Sequence, residues 1–347
     1  MFANRLPWKC ACAAVGVMCL PLMPGSAAWG DWQQTHKLTA DDAAEDDWFG
    51  WCVAVSGDVA IIGALRNDSA GQDAGSAYLC DVTSGYLYDQ LFAYDHSPDD
   101  FFGFSVSING DLALVGAVGD DDDTGSAYVF DVTTGWQLHK LIADDPAEGD
   151  CFGCSVSISG DLALIGAFAD DSVTGSAYVF DVTTGQQLHK LTAGDAAEGD
   201  SFGFSVSISG DLAIIGAWRD QARRSGSGSA YVFHPTTGQQ LDKLLADDPA
   251  EGDGFGCSVS ISGDAALVGA PWDDDACPEH PGCDSGSAYV FEAVQCPADF
   301  DGDGDVDTAD LLFLLGAWGT PEGDVDGDGD TDTADLLALL AAWGECP

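Results

Sequence analysis

The chain has 347 residues, with 59 Asp and Glu against 10 Lys and Arg, and a formal net charge of −49 at pH 7. So acidic a balance argues against nucleic acid and anionic membrane surfaces as partners, since both would be repelled. Hydrophobic residues make up 46% of the chain, enough for a core, so the charge does not signal disorder; it favours cations, a basic protein or a saline medium.

Residues 1–28 read as a secretory signal peptide: Arg5 and Lys9, an apolar run from Cys10 to Met23, then Ser26-Ala27-Ala28 before the cleavage point. The run is too short and too interrupted by proline to be a membrane span, and no other stretch approaches that length. The expectation is a soluble monomer, secreted or held at the cell surface.

Residues 29–295 contain one unit five times over. An F-G pair falls at Phe49-Gly50, Phe102-Gly103, Phe152-Gly153, Phe202-Gly203 and Phe255-Gly256. A G-A pair begins at Gly63, Gly116, Gly166, Gly216 and Gly269, and G-S-A-Y begins at Gly75, Gly125, Gly175, Gly228 and Gly286. A period of 50 to 53 residues held this closely marks a repeat architecture. Each copy predicts four short antiparallel strands: S-V-S-I-S and L-A-L-I-G-A joined by the tight turn S-G-D, then G-S-A-Y-V-F-D-V, then Q-Q-L-H-K-L after T-T-G. Four strands per unit of this length is a β-propeller blade. The second strand, 162–167, is apolar on both faces, as expected of a blade sandwiched between two others. The last copy stops after Phe291 without a fourth strand, while Trp32-Gln33-Gln34-Thr35-His36-Lys37-Leu38 stands ahead of the first copy as an orphan fourth strand. The expected fold is therefore an all-β, five-bladed propeller closed by an N-terminal strand, followed by a small helical module.

These motifs resemble FG-GAP repeats, the blades of integrin α-chain propellers and of many secreted bacterial proteins, over about residues 32–294. The resemblance implies a propeller whose role is interaction. The Asp-rich calcium loop of some integrin blades is replaced here by a bare S-G-D, so no calcium is implied at that position.

The 4-to-1 links (Asp144, Asp145, Glu148, Asp150) and the 2-to-3 loops (Asp120 to Asp123, Asp170-Asp171, Asp273 to Asp275) belong on one face of the disc, which should be strongly negative. That face suits a divalent cation, a cationic partner or a glycan, or is a solvated rim that keeps the protein in solution. Arg219, Arg223 and Arg224 form a local neutralising cluster. Nine cysteines follow residue 28. Cys277 with Cys283 and Cys296 with Cys346 are candidate pairs in an oxidising compartment. Cys80, standing where other copies have Phe130 and Phe180, reads as a buried thiol. His36, His139 and His189 occupy one repeated position in different blades and cannot share a metal. There is no H-E-x-x-H and no G-x-S-x-G, so no catalytic constellation is assigned. Trp48, Trp51, Trp136, Trp218 and Trp272 lie at or near loops but do not repeat in position, which counts against sugar pockets between blades.

Residues 296–347 form a different module. Asp299, Asp301, Asp303, Asp305, Asp307 and Asp310 occupy positions 1, 3, 5, 7, 9 and 12 of a loop with Gly304 at position 6. Asp324, Asp326, Asp328, Asp330, Asp332 and Asp335 repeat the pattern 25 residues later around Gly329. Hard oxygen ligands at this spacing make two EF-hand-type loops for two calcium ions; position 7 ordinarily coordinates through its carbonyl, so Asp305 and Asp330 are the weaker side-chain candidates. Each loop leads into an apolar helix, whose Leu311, Leu312, Leu314, Leu315 and Trp318, with Leu336, Leu337, Leu339, Leu340 and Trp343, should form a small core or part of a docking face. The duplicated loop-helix resembles a type I dockerin, which implies a cohesin-like or other cell-envelope receptor contacted at Thr308, Ala309, Thr333 and Ala334. The reading is a secreted, non-catalytic binding or adhesion protein; the alternatives are a dockerin-borne polysaccharide-degrading enzyme and a carbohydrate-binding lectin.

Overall fold

The computed structural model describes residues 33–221, 224–274, 284–293, 298–300, 305–325 and 329–345. The signal peptide, Arg223 and the candidate pairs Cys277–Cys283 and Cys296–Cys346 lie outside the described residues. No helix among the described residues is long and apolar enough to cross a membrane. The chain divides into two units, Met1–Phe291 and Glu292–Pro347.

In the first unit the repeat folds as successive antiparallel sheets, each in chain order. Blade 1 has β1 (Val53–Ser56), β2 (Val59–Ala64), β3 (Ser76–Asp81) and β4 (Tyr86–Leu91). Blade 2 has β5 (Phe102–Asn109), β6 (Leu112–Ala117), β7 (Ser126–Asp131) and β8 (Trp136–Leu141). Blade 3 has β9 (Ser155–Ser159), β10 (Leu162–Ala167), β11 (Ser176–Asp181) and β12 (Gln186–Leu191). Blade 4 has β13 (Phe202–Ser209), β14 (Leu212–Ala217), β15 (Ser229–His234) and β16 (Gln239–Leu244). Blade 5 has β17 (Ser258–Ser262), β18 (Ala265–Ala270) and β19 (Ser287–Glu292). The turns are built by the residues that repeat. Asp181, for example, accepts the amides of Thr183 (2.8 Å) and Thr184 (3.1 Å), while Gly185 takes the left-handed φ that ends the turn.

The core lies between blades. Leu114, Val129 and Leu141 of blade 2 pack with Phe152, Ile165 and Tyr178 of blade 3, and the same cluster recurs at the neighbouring junctions. This is why β10 is buried on both faces. Two glycines set the approach. The G-A glycines Gly63, Gly116, Gly166 and Gly216 each face the carbonyl oxygen of the F-G glycine of the next blade, Gly103, Gly153, Gly203 and Gly256, and a Cβ would overlap that oxygen. Those F-G glycines sit at φ +86 to +89°, where other residues are strained.

At the ends of the array the structure departs from expectation. Residues 33–38 form no strand, the fifth sheet has three strands, and Gly50 has nothing within 4 Å of a Cβ built on it, while one on Gly269 meets only Ser258 of its own blade. The closing strand expected from the N-terminal segment is thus not in place. His36 of this segment nevertheless reaches blade 1: its Nε2 lies 3.2 Å from the Thr83 carbonyl oxygen and the ring covers Gly85. The physical reason lies in the pairing required. It joins residues from opposite ends of the domain, carries the largest loop-closure cost in the array, and would add an outermost strand, which has a neighbour on one edge only.

In the second unit α1 (Thr308–Gly316) and α2 (Thr333–Ala341) each begin with a reciprocal capping box, Asp307 with Asp310 and Asp332 with Asp335. The short strands β20 (Asp305–Val306) and β21 (Gly344–Glu345) pair antiparallel. The core is smaller than the helix pattern suggests. Ala298, Val306, Leu314 and Leu339 are buried, with Leu311 and Leu336 against them, whereas Leu312 and Leu337 are 70% and 68% exposed. Leu315, Trp318, Leu340 and Trp343 are also exposed.

Gly166→Ala should lower the stability of the first unit by about 3 kcal/mol, since the added methyl meets a backbone oxygen that cannot rotate away. Gly160→Ala, in an open turn with nothing within 4 Å, should lose only the left-handed preference, about 1 kcal/mol. Urea unfolding of the two variants measures the difference.

Candidate functional site

The acidic links and loops are partly committed to holding blades together. Lys140 on β8 lies 2.7 Å from Asp95, in the link from blade 1, and 2.6 Å from Asp120, in the 2-to-3 loop of its own blade. Tyr128 donates its hydroxyl to the same two carboxylates at 3.2 Å. Lys190 with Asp145, Asp170 and Tyr178, and Lys243 with Asp195, Asp220 and Tyr231, repeat the cage. In blade 1 Gln90 replaces the lysine and Asn67 the inner aspartate, around Tyr78 and Asp42. Burial raises the pKa of Asp95, Asp145 and Asp195, and the lysine beside each more than offsets it, leaving them below the usual carboxylate range. Burial opposes the charge of Lys140, Lys190 and Lys243, and the paired carboxylates hold it in place.

A second repeated acid closes each link. Asp47, Asp100, Asp150, Asp200 and Asp253 are buried, and each accepts a backbone amide three residues earlier, as Asp100 does from Ser97 at 2.6 Å. Burial pushes Asp100 up to about 6; the Ser97 amide pulls the other way and Asp120 adds to the rise. Asp150, Asp200 and Asp253 are raised in the same sense. The histidines are structural, as the repeat implied: His139 packs on Gly185, and His189 packs on Gly238 and lies 2.7 Å from the Thr236 oxygen. Cys80 is a fully buried thiol donating to the Asp81 carbonyl.

The aromatic residues are more ordered in space than their sequence positions imply. Trp51, Phe104 and Phe204 follow the F-G pair of their blades, and Phe168 and Trp218 follow G-A. They make a near-continuous series: Trp48 stacks on Trp51 at 5.4 Å, Trp51 meets Phe104 at 6.0 Å, and Phe168, Phe204, Trp218 and Trp272 form consecutive pairs at 5.0 to 5.7 Å. Between blades 1, 2 and 3 this series encloses a cavity of about 280 Å³ lined by Trp48, Trp51, Arg66, Phe101, Phe104 and Phe168 among others. Aligning the units on F-G and G-A would have shown the positions; what the sequence hides is that neighbouring blades bring them into contact. Trp136 takes no part and stands 69% exposed on β8.

In the second unit Asp330, Asp332 and Asp335 bring one carboxylate oxygen each within 4.8 Å of one another. Calcium takes oxygens at about 2.3–2.6 Å, so ligands across one ion stand up to about 5 Å apart and the group fits. Asp330, the weaker candidate by its position, belongs to it. Asp335 is fully buried and accepts the amides of Val325 and Asp332 at 2.7 Å, and Asp324 accepts that of Gly329 at 2.8 Å. In the first loop Asp310 is likewise buried, accepting from Phe300 at 2.6 Å and Asp307 at 2.8 Å. Asp299, Asp305 and Asp307 are described with it, whereas Asp301, Asp303, Asp326 and Asp328 lie outside the described residues. Thr308, Ala309, Thr333 and Ala334 open the two helices and are exposed.

Repeated four-stranded sheets packed face to face define a propeller-type repeat protein, a fold suited to interaction. The FG-GAP repeat model matches residues 32–80, 88–130, 136–180, 186–233 and 239–291, most of the chain, which therefore belongs to the FG-GAP repeat family. A search of curated proteins finds no match.

The buried acids give a pH signature. A carboxyl whose pKa rises from 3.8 to about 6 on folding binds its proton more tightly in the folded state, so its contribution to stability falls as pH rises from about 4 to about 6. Asp100→Asn keeps the Ser97 bond and should flatten this part of the curve relative to the parent, read by thermal melts across that range.

Proposed function

We propose that this is an exported, non-catalytic binding protein whose FG-GAP domain presents an interaction surface and whose C-terminal module, organised by two calcium ions, attaches it to a receptor at the cell surface in the manner of a dockerin. The observation that carries the reading is the pair of exposed apolar helix faces, Leu312 with Leu315 and Leu337 with Leu340, on helices whose first turns are capped by the acids of the calcium loops. A repeated apolar face of this kind suits a protein receptor, and the exposed Thr308-Ala309 and Thr333-Ala334 at the helix starts would read it. The ion supplies the positive charge that lets several carboxylates converge, and the chain's own capping boxes hold the helix starts ready. Calorimetric titration of the full chain should show two calcium sites. Asp330→Ala should weaken one of them about 10-fold and leave the other, and chelation should reduce the helical circular dichroism signal. A chain that takes up no calcium would overturn the reading.

The five blades, on this reading, close into a disc completed by residues 33–38. Three features support it. His36 touches the Thr83–Gly85 turn of blade 1 as His189 of blade 3 touches the Thr236–Gly238 turn of blade 4, so the segment already lies in the register of a preceding blade's outer strand. In that register Lys37 aligns with Lys140, Lys190 and Lys243, beside the Asp248, Asp273 and Tyr289 cluster of blade 5. Gly50 and Gly269 are the two glycines of the one junction not formed. Closure predicts that Gly269→Ala destabilises as severely as Gly166→Ala, and that Lys37→Glu is rescued by Asp248→Lys. An open array predicts that Gly269→Ala is nearly silent in the same urea titration.

A further inference from the structure

We propose that the aromatic cavity between blades 1, 2 and 3 receives an apolar side chain from a basic segment of a partner protein. The proposal rests on the interaction reading of the FG-GAP domain and names where and what that domain binds. It uses blades 1 to 3 alone and depends on neither closure nor calcium.

Trp48 and Phe101 both precede an F-G pair and are held at φ +56° and +55°, a conformation that bulky residues rarely adopt. The next blades put Cys151 and Ser201 at that position, both at φ +57°, so the turn belongs to the repeat while its aromatic side chains belong to blades 1 and 2; Cys151 and Phe168 of blade 3 complete the lining. Trp48 is 44% exposed although it stacks on Trp51. A concave, aromatic-lined space of about 280 Å³ suits the single anchoring side chain that typically dominates a protein interface.

Charge identifies the flanks of the partner. The cavity shares Phe101 and Asp123 with a larger adjoining one of about 540 Å³ that is lined by Asp95, Asp99 and the run Asp120 to Asp123. The one cation lining that second cavity, Lys140, is engaged by Asp95 and Asp120. Asp121, Asp122 and Asp123 are exposed, in left-handed conformations, and because Asp95, Asp120 and Asp121 (3.7 Å) already share the one lysine, the cavity keeps an excess of negative charge. Within the aromatic cavity the Arg66 guanidinium lies 4.4 Å from the centre of the Trp48 ring, so a second cation is unwelcome there. The chemistry is therefore divided: an apolar residue enters the aromatic part and Lys or Arg beside it meets the aspartates. The net charge of the chain would steer such a segment inward.

The test uses the full-length protein and a labelled peptide, Lys-Lys-Phe-Lys-Lys, followed by fluorescence anisotropy at low and at physiological salt. Comparison peptides replace Phe by Ala or every Lys by Glu, and a neutral glucan oligosaccharide serves as competitor. Binding of the first peptide is expected, at least 10-fold weaker for the Ala peptide and for the Trp48→Ala protein, and abolished for the Glu peptide. The triple variant Asp121→Asn, Asp122→Asn, Asp123→Asn should also weaken it at least 10-fold and remove most of its salt dependence. Asparagine tolerates the left-handed backbone, so the variant changes charge without changing the fold. Absence of binding by every peptide would overturn the proposal, as would equal binding by the Ala peptide or indifference to Trp48→Ala. Competition by the oligosaccharide that is lost in Trp48→Ala would make the cavity a glycan site. None of these results bears on calcium uptake, so the reading of the C-terminal module stands or falls separately.

Discussion

The glycine-to-carbonyl contact between neighbouring blades is the constraint on which the FG-GAP domain depends. Each blade presents a backbone surface with no side chain at one point, and the next blade lays the carbonyl of its own F-G glycine there. Close approach at that point lets Phe152, Phe202 and their counterparts reach full burial, since an apolar junction gains only when water is excluded. Hydrogen bonds at the same junction reinforce it. Ser105 and Ser205 donate to the carbonyls of Gly153 and Gly256 at 2.8 Å, and Cys52 plays the same part toward Gly103 at 3.1 Å. The two letters F-G and the two letters G-A are therefore two halves of one contact, made by different copies of the repeat.

Around this apolar junction the acids have two distinct roles. Some are structural: the lysine cages tie an incoming link to a loop and an outer strand, and the buried aspartates close each link on a backbone amide. Others, above all Asp121 to Asp123, face solvent next to an aromatic cavity. Composition alone treats both sets as one negative rim. Burial separates them: Asp120, at 5% exposure, holds Lys140 at 2.6 Å, whereas Asp121, at 79%, meets the same lysine only loosely, at 3.7 Å.

Strand order, turn chemistry and the two-faced burial of β10 were legible in the sequence because the repeat shows each feature several times over. The acids ahead of α1 and α2 were legible from their spacing, though as candidate calcium ligands and not as the caps they form. Three things were not. The strand pairing of residues 33–38 would join opposite ends of the domain, and a matching Q-Q-x-H-K-L pattern does not carry that loop-closure cost. The exposure of Leu312 and Leu337 follows from having only two short helices to cover each other, so leucines on a third side find no partner. The aromatic series was hidden because its members come from several positions in the repeat and are joined up by contacts across blade boundaries, Trp51 with Phe104, Phe168 with Phe204 and Trp218 with Trp272.

The cage of blade 1 carries a consequence of its own. Exchanging Lys for Gln90 and the inner Asp for Asn67 removes one charge of each sign, so the cluster keeps a single net negative charge while its bonds become dipolar. Dipolar bonds are hardly screened by salt, whereas the half-exposed outer pairs of the cages, Lys140–Asp95, Lys190–Asp145 and Lys243–Asp195, are. Rising ionic strength would therefore loosen the outer strands of blades 2 to 4 and leave that of blade 1 in place.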